Sequence, residues 1–409
     1  MSAAAGSLPA LNVSSEAIAD PGSLIELLEP GHPLAFLRRG DGIVGLGEAL
    51  RLEFSGPTRF VDAAATWRAL TARATETDPI GVRGSGLVAL GSFAFSDDSA
   101  VTSVLVVPSV SIARRHGVSW VTRVDTASGM PASRTVIADC SASFASGDMS
   151  PTAFLTAVRT ALTEIDRGTV RKVVVARDLV AELPPGADLR APIARLSNAY
   201  PEIVTYAVDG LIGSSPETLV LAEGGVVSAR VLAGSVGRGA DARADERVAA
   251  TLARSPKDLD EHGFALRSVL RALKPHSSGL SASAEPFPLG LPNLWHLASD
   301  VTGTLADGSS ALDLIAALHP TAAVAGSPTE GALTLIAELE PFDRGRYAGP
   351  VGWVGADGDG EWAVALRCAQ VSGNRARAFA GAGVVAGSEP ERELAETELK
   401  FRPIVEAFA

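Results

Sequence analysis

Over residues 33–137 the apolar residues come in short runs, each broken after a few positions by Gly, Ser or Asp, as in the run 101–107. Runs of that length between turn-forming residues predict strands. The pattern changes after the Ser/Gly/Asp-rich stretch 141–150, because Pro151–Asp166 repeats its apolar residues at helical spacing. Residues 171–179, 202–208 and 217–221 read as further strands, and 257–273 as an amphipathic helix with Leu259, Leu266 and Leu270 as its apolar stripe. Residues 347–367 read as a hairpin turning at Asp357, Gly358, Asp359 and Gly360. A last helix over 389–408 has Leu394, Phe401, Val405 and Phe408 as its stripe. Residues 1–20, small and polar, predict a loosely held tail. The expected organisation is this tail, a strand-rich half over 21–145 and a region over 146–409 fused with it into one domain.

Composition narrows the class. The 409 residues are 46% hydrophobic and 20% charged, enough to bury a large core. The formal charge of -12, with 35 Lys+Arg against 47 Asp+Glu and no basic cluster, argues against a nucleic-acid partner. An acidic protein that binds an anion needs a metal ion or a few buried cations to overcome its own field. Cys140 and Cys368 are too few for a disulfide framework and lack metal-site spacing. Without a signal-peptide pattern or a membrane-length apolar run, a cytoplasmic protein with no membrane partner is expected.

Several positions could carry chemistry. A strand period of two puts Lys172 on the face of Val174 and Ala176. There it is either a desolvated lysine able to serve as a general base or an edge-strand lysine that discourages aggregation. Helical spacing puts Asp258 and Glu261 on one face, and Glu393, Glu396 and Lys400 on another. These carboxylates are either solvated faces or, converging from two elements, oxygen ligands for Mg²⁺. The glycine-rich segments 232–239 and 380–383 either present backbone N–H groups to an anion or form tight turns.

Taken in order, the segments resemble the chorismate-utilising enzymes. The resemblance runs from about Val170 to the C-terminus through Lys172-Val-Val-Val-Ala-Arg177, Gly213-Ser-Ser-Pro-Glu217, Leu232-Ala-Gly-Ser235 and Ser255-Pro-Lys-Asp-Leu-Asp-Glu-His262. It continues through Leu318-His-Pro-Thr321, Tyr347-Ala-Gly-Pro-Val-Gly-Trp353, Gly360-Glu-Trp362, Ala365-Leu-Arg-Cys368, Ala380-Gly-Ala-Gly383 and Glu396-Thr-Glu-Leu-Lys400. The N-terminal half matches loosely, best around residues 84–95.

The resemblance implies an α+β fold of large antiparallel sheets packed face to face with helices outside, and a chorismate-binding catalytic region over 146–409. By position it makes Lys172 the base that activates water and Glu217 the acid that protonates the departing hydroxyl. Glu261 and Glu396 become Mg²⁺ ligands with Asp258 and Glu393 behind them. Gly234, Ser235, His296, Ala323, Tyr347, Arg367, Gly381 and Lys400 become substrate-binding residues. A lysine at position 172 points to water rather than ammonia as nucleophile, so no amidotransferase subunit is expected and a monomer is. Ala323, the segment His319-Pro-Thr321 and the segment 337–344 point to the isochorismate branch, in menaquinone or siderophore synthesis. Ala322 and Ser327 depart from the proline and aromatic of the pattern. The rival readings are a salicylate synthase, which goes on to eliminate pyruvate, and a non-catalytic chorismate-binding protein.

Overall fold

The computed structural model describes residues 8–127, 133, 135, 136 and 140–409. Residues 1–7 of the expected tail, and Ile137 at the end of the strand-rich stretch, lie outside the described residues.

Two sheets organise the described residues. The first has thirteen strands. At one end Lys172–Glu182, Arg375–Val385, Cys368–Ser372, Leu211–Ser215 and Val204–Val208 lie side by side. Val204–Val208 then pairs with Leu34–Arg38, from which N-terminal strands continue to Asn12–Ile18 and Thr75–Thr77. The second sheet has ten strands, with Leu294–Leu305, Val226–Gly237, Thr218–Glu223, Gly360–Val364 and Pro350–Gly355 in order. Val88–Ser92, Ser103–Val107 and Leu50–Phe54 complete its far end. Pairing among the described residues is antiparallel except between Asn12–Ile18 and Thr75–Thr77.

One apolar core joins the sheets, containing Val173 and Val175 of the first and Val220, Val231 and Trp362 of the second. A side chain of this size contributes about 1.5–3 kcal/mol when fully buried. A second cluster covers the other face of the first sheet. It sets Leu37, Ala207, Ile212 and Ala378 against Ile193 and Leu196 of the helix Arg190–Ala199 and Phe401 and Ile404 of Pro390–Ala407. The helices Arg59–Thr71, Pro256–Leu273 and Ala311–Leu318 pack on the second sheet. No helix among the described residues is long and apolar enough to cross a membrane.

Part of the expected tail is ordered structure. Asn12–Ile18 is a strand paired with Val118–Val124, and Leu8, Leu11 and Val13 are buried. Burial alternates over residues 12–16 of this strand, and on its buried face Ser15 and Thr122 hydrogen-bond across the pair at 2.8 Å. The segment 380–383 and residues 232–237 of the other glycine-rich segment lie within strands rather than turns, in Arg375–Val385 and Val226–Gly237. The latter strand carries a register shift at Gly234, whose φ is 81°.

The chain passes from the first sheet to the second between Leu211–Ser215 and Thr218–Glu223, and returns between Gly360–Val364 and Cys368–Ser372. These two crossings run side by side. The Val364 amide donates to Glu217 O at 3.1 Å, and the Ser214 amide donates to Arg367 O at 3.2 Å. Arg367 adopts a φ of 49°, a left-handed conformation rare for a residue with a side chain.

Candidate active site

Glu217 and Arg367 reach the same space because each sits on one of these adjoining crossings. Glu217, expected to begin a strand, lies just before Thr218–Glu223. A cavity of about 50 Å³ at this corner is walled by Glu217, Gly234, Ser235, Glu261, His296, Ala323, Tyr347, Arg367, Gly381 and Lys400. Lys172, Asp258, Glu393 and Glu396 are not in that wall. The last three line an adjoining cavity of about 720 Å³ that shares Ser235 with the first. Lys172 is fully buried, with its Nζ 3.2 Å from Glu261 Oε1. The Nζ makes no hydrogen bond among the described residues, so this contact is a charge pairing without hydrogen-bond alignment.

Gly383 makes that pairing possible. A Cβ at this position would lie 2.2 Å from Glu261 Oε1 and 3.2 Å from Lys172 Cε. Sequence reading quoted Gly383 within a motif but gave it no place in the site. Its signal is the close packing of a strand against two long polar side chains, which only a glycine permits.

Burial pushes the Glu217 carboxyl up to about 8, although Lys172, Arg367 and Lys400 pull against it. At neutral pH Glu217 therefore carries a proton it can give away. His296 is held well below the usual imidazole range, first by burial and then by Arg367 and Lys400. The hydrogen bonds agree with a neutral ring. Arg367 Nη2 donates to His296 Nε2 at 3.0 Å, which leaves the ring proton on Nδ1, facing Ser235 Oγ at 2.9 Å. Tyr347 stacks on Phe379 with ring centroids 5.1 Å apart. Lys400 Nζ donates to Gly381 O at 2.9 Å and pairs with Glu396 at 2.5 Å, one helical turn away.

The helix Pro256–Leu273 brings in the first pair of carboxylates. Ser255 caps it, accepting from the Asp258 amide at 3.3 Å, and Pro256 starts it. Its buried residues are Glu261, His262, Phe264, Ala265, Val269 and Leu273. The expected stripe of Leu259, Leu266 and Leu270 is only half-buried. His262, which sequence reading left without a role, faces Ala233 O with Nδ1 at 3.3 Å and Ser299 Oγ with Nε2 at 2.9 Å. It thereby ties the helix to the strand at the Gly234 bulge. On Pro390–Ala407 the buried residues include Glu393, Thr397, Phe401 and Ile404, while Leu394 and Val405 are half-buried.

No group of three or more His, Cys, Asp or Glu side chains among the described residues is arranged to hold a metal unaided. The carboxylates nevertheless crowd one another. Asp258 is raised by burial and by Glu261 and Glu396, and Glu393 by burial and by Glu396. Lys257 Nζ donates to Glu393 at 2.7 Å and also attracts Asp258, Glu261 and Glu396. Oxygen donors in excess of their cations suit Mg²⁺, which takes one or two carboxylates and fills its other positions with water and substrate oxygens.

Two interleaved antiparallel sheets with a cation-lined, acid-bearing cavity at their corner are the features of a chorismate-binding enzyme. The chain belongs to the chorismate binding enzyme family, which matches residues 36–409. It is 41% identical to isochorismate synthase DhbC of Bacillus subtilis over 270 residues, 63% of this chain and 68% of that one. A solved structure of DhbC from Bacillus anthracis is similar with a TM-score of 0.78 and 31% identity, covering 94% of this chain and 98% of that one. MenF of Escherichia coli, a menaquinone-specific isochorismate synthase, shares the fold with a TM-score of 0.80 at 23% identity, over 97% and 95% of the two chains.

Proposed function

We propose that this chain is an isochorismate synthase, a Mg²⁺-dependent isomerase that adds water at C2 of chorismate while the C4 hydroxyl leaves. The observation that carries the reading is Glu217, a buried carboxyl raised to about 8 that faces Lys172, Arg367 and Lys400. Water is a poor nucleophile and hydroxide a poor leaving group, so the exchange needs a base and an acid. In its unprotonated form Lys172 takes a proton from water as its oxygen bonds to C2, both ring double bonds shift by one position, and the C4–O bond breaks. The departing oxygen takes the Glu217 proton and leaves as water, so one water enters and one departs. Arg367, Tyr347 and Lys400 receive the substrate's carboxylates, and the Arg367 guanidinium is suited to a bidentate contact. His296 fixes the orientation of Arg367, and the amides near Gly234 and Ser235 face the ring carboxylate. Glu261 and Glu396 would hold Mg²⁺, with Asp258 and Glu393 behind them, and the ion when bound supplies positive charge to that carboxylate.

The test is chorismate incubated with the protein and Mg²⁺. The expected result is an approach to a chorismate–isochorismate mixture from either side with little pyruvate. Stoichiometric pyruvate with salicylate would replace this reading with a salicylate synthase. Binding without consumption would make the chain a non-catalytic chorismate-binding protein.

A further inference from the structure

The strand that carries Lys172 is paired along its whole length with Arg375–Val385 on one side. On the other side Gly326–Ser327 pairs at Lys172 and Val173, and Ala145–Ser146 pairs at Leu179 and Val180. The stretch between them is closed by two backbone bonds, from the Val174 amide to Ala325 O at 2.8 Å and from the Gly147 amide to Asp178 O at 3.0 Å, and by two side chains. Arg344 Nη2 donates to Val174 O at 2.8 Å, and the Ala176 amide donates to Glu340 Oε1 at 2.8 Å. Arg344 Nη1 also donates to Val324 O at 2.8 Å, and its Nε donates to Glu340 Oε2 at 2.8 Å. The Arg344 and Glu340 side chains are 3% and 1% exposed. The guanidinium lies 4.5 Å from the centre of the Phe95 ring and 5.8 Å from that of Tyr347.

A buried ion pair that fills a sheet edge has an ordinary structural use. This one bridges two residues, Val174 and Val324, that both wall the cavity beside Ala323 and Tyr347. The Lys172 strand is therefore held to the wall 321–325 by the Val174–Ala325 backbone bond and by one planar guanidinium.

We propose that Glu340 and Arg344 are positioning residues that determine reaction specificity, holding that wall so that the ring undergoes hydroxyl exchange and does not lose its side chain. This rests on the isochorismate synthase reading. The competing step, open to isochorismate once C2 carries both the new hydroxyl and a hydrogen, breaks the ring C–O bond to the enolpyruvyl group and moves the hydrogen on C2 to its methylene carbon. It yields pyruvate and salicylate with no further reactant, and it needs a different pose of the ring.

Arg344→Lys keeps the charge but cannot reach both carbonyls and the carboxylate from one plane. With chorismate and Mg²⁺, it is expected to raise KM about 10-fold and the pyruvate-to-isochorismate ratio several-fold, as a misplacement of the wall by a fraction of an ångström would do. Val324→Ala should shift the ratio in the same direction. If Arg344 acts through Val324, the double variant should show less than the product of the two single effects. Glu340→Gln can still accept from the Ala176 amide and should give a smaller shift of the same sign. It decides the matter if Arg344→Lys gives no cooperative melting transition. Folded Arg344→Lys or Glu340→Gln with unchanged KM, kcat and product ratio would overturn the proposal, as would fully multiplicative effects in the double variant. Failure of the underlying reading shows separately, in unsubstituted protein that forms no isochorismate or mainly pyruvate.

Discussion

Glu217 can donate a proton at neutral pH because the fold takes it out of water and offsets only part of the penalty with nearby cations. The sign of its pH dependence follows. Below about 8 the group is protonated and able to serve as the acid, and above it the carboxylate has nothing to donate. The rate of isochorismate formation should therefore fall as pH rises through about 8, measured as kcat/KM against pH, which reports the free enzyme. Glu217→Gln keeps the shape without the acid, so it should bind chorismate and stall. Lys172→Ala should retain binding and lose about 10²- to 10⁴-fold in kcat, the usual range for a missing general base. Near-normal turnover in a well-folded Lys172→Ala protein would reassign water activation. Gly383→Ala offers a third probe, since its methyl would meet Glu261 and Lys172 directly. Those flexible ends can give way, so melting should change little. The displaced pair should still reduce kcat/KM on the order of 10²-fold.

At the scale of elements, the two helices Pro256–Leu273 and Pro390–Ala407 each deliver carboxylates from a buried face. If Glu261 and Glu396 hold Mg²⁺, chelation should abolish turnover and added Mg²⁺ restore it, and Glu261→Ala and Glu396→Ala should each be inactive with unchanged far-ultraviolet circular dichroism. Full activity in exhaustively chelated protein would remove the ion from the scheme. Ser255→Ala, which removes the cap just before Asp258, should lower stability by about 1 kcal/mol in denaturant titration.

These helices also mark what the sequence could and could not disclose. Both were legible as amphipathic segments, and the hairpin through Asp357–Gly360 was legible from its turn. Their buried faces were not, because a stripe drawn through leucines cannot include a buried carboxylate. On Pro256–Leu273 the face turned inward holds Glu261 and His262, whose partners come from Lys172, Ala233 and Ser299, far away in the chain. The glycine segments failed for a related reason. Gly383 lies inside a strand because Glu261 fills the space its side chain would take, and that neighbour is invisible in a local window. The residues gathered around the cavity were found by motif resemblance, and neither periodicity nor composition would have assembled them.

For the whole molecule, the decisive feature is that both sheets draw strands from both halves of the chain. Val204–Val208 pairs with Leu34–Arg38, and Pro350–Gly355 pairs with Val88–Ser92. A fragment beginning at residue 146 would expose both edges at once, and unpaired edges recruit other chains. Such a fragment should elute as aggregate in size-exclusion chromatography, whereas the full chain should not. A monodisperse, chorismate-binding fragment would show that the C-terminal region folds alone.

The paired crossings carry one more consequence. Backbone amides exchange with deuterium only when their hydrogen bonds open, and the Val364 and Ser214 amides are bonded where the chain changes sheets. Opening either one requires the corner itself to loosen, so both should rank among the most protected amides of the described residues. A molecule seated between Glu217 and Arg367 would brace the same corner and slow their exchange further. Deuterium uptake at these two positions would then report occupancy of the cavity in variants too slow for any product to be seen.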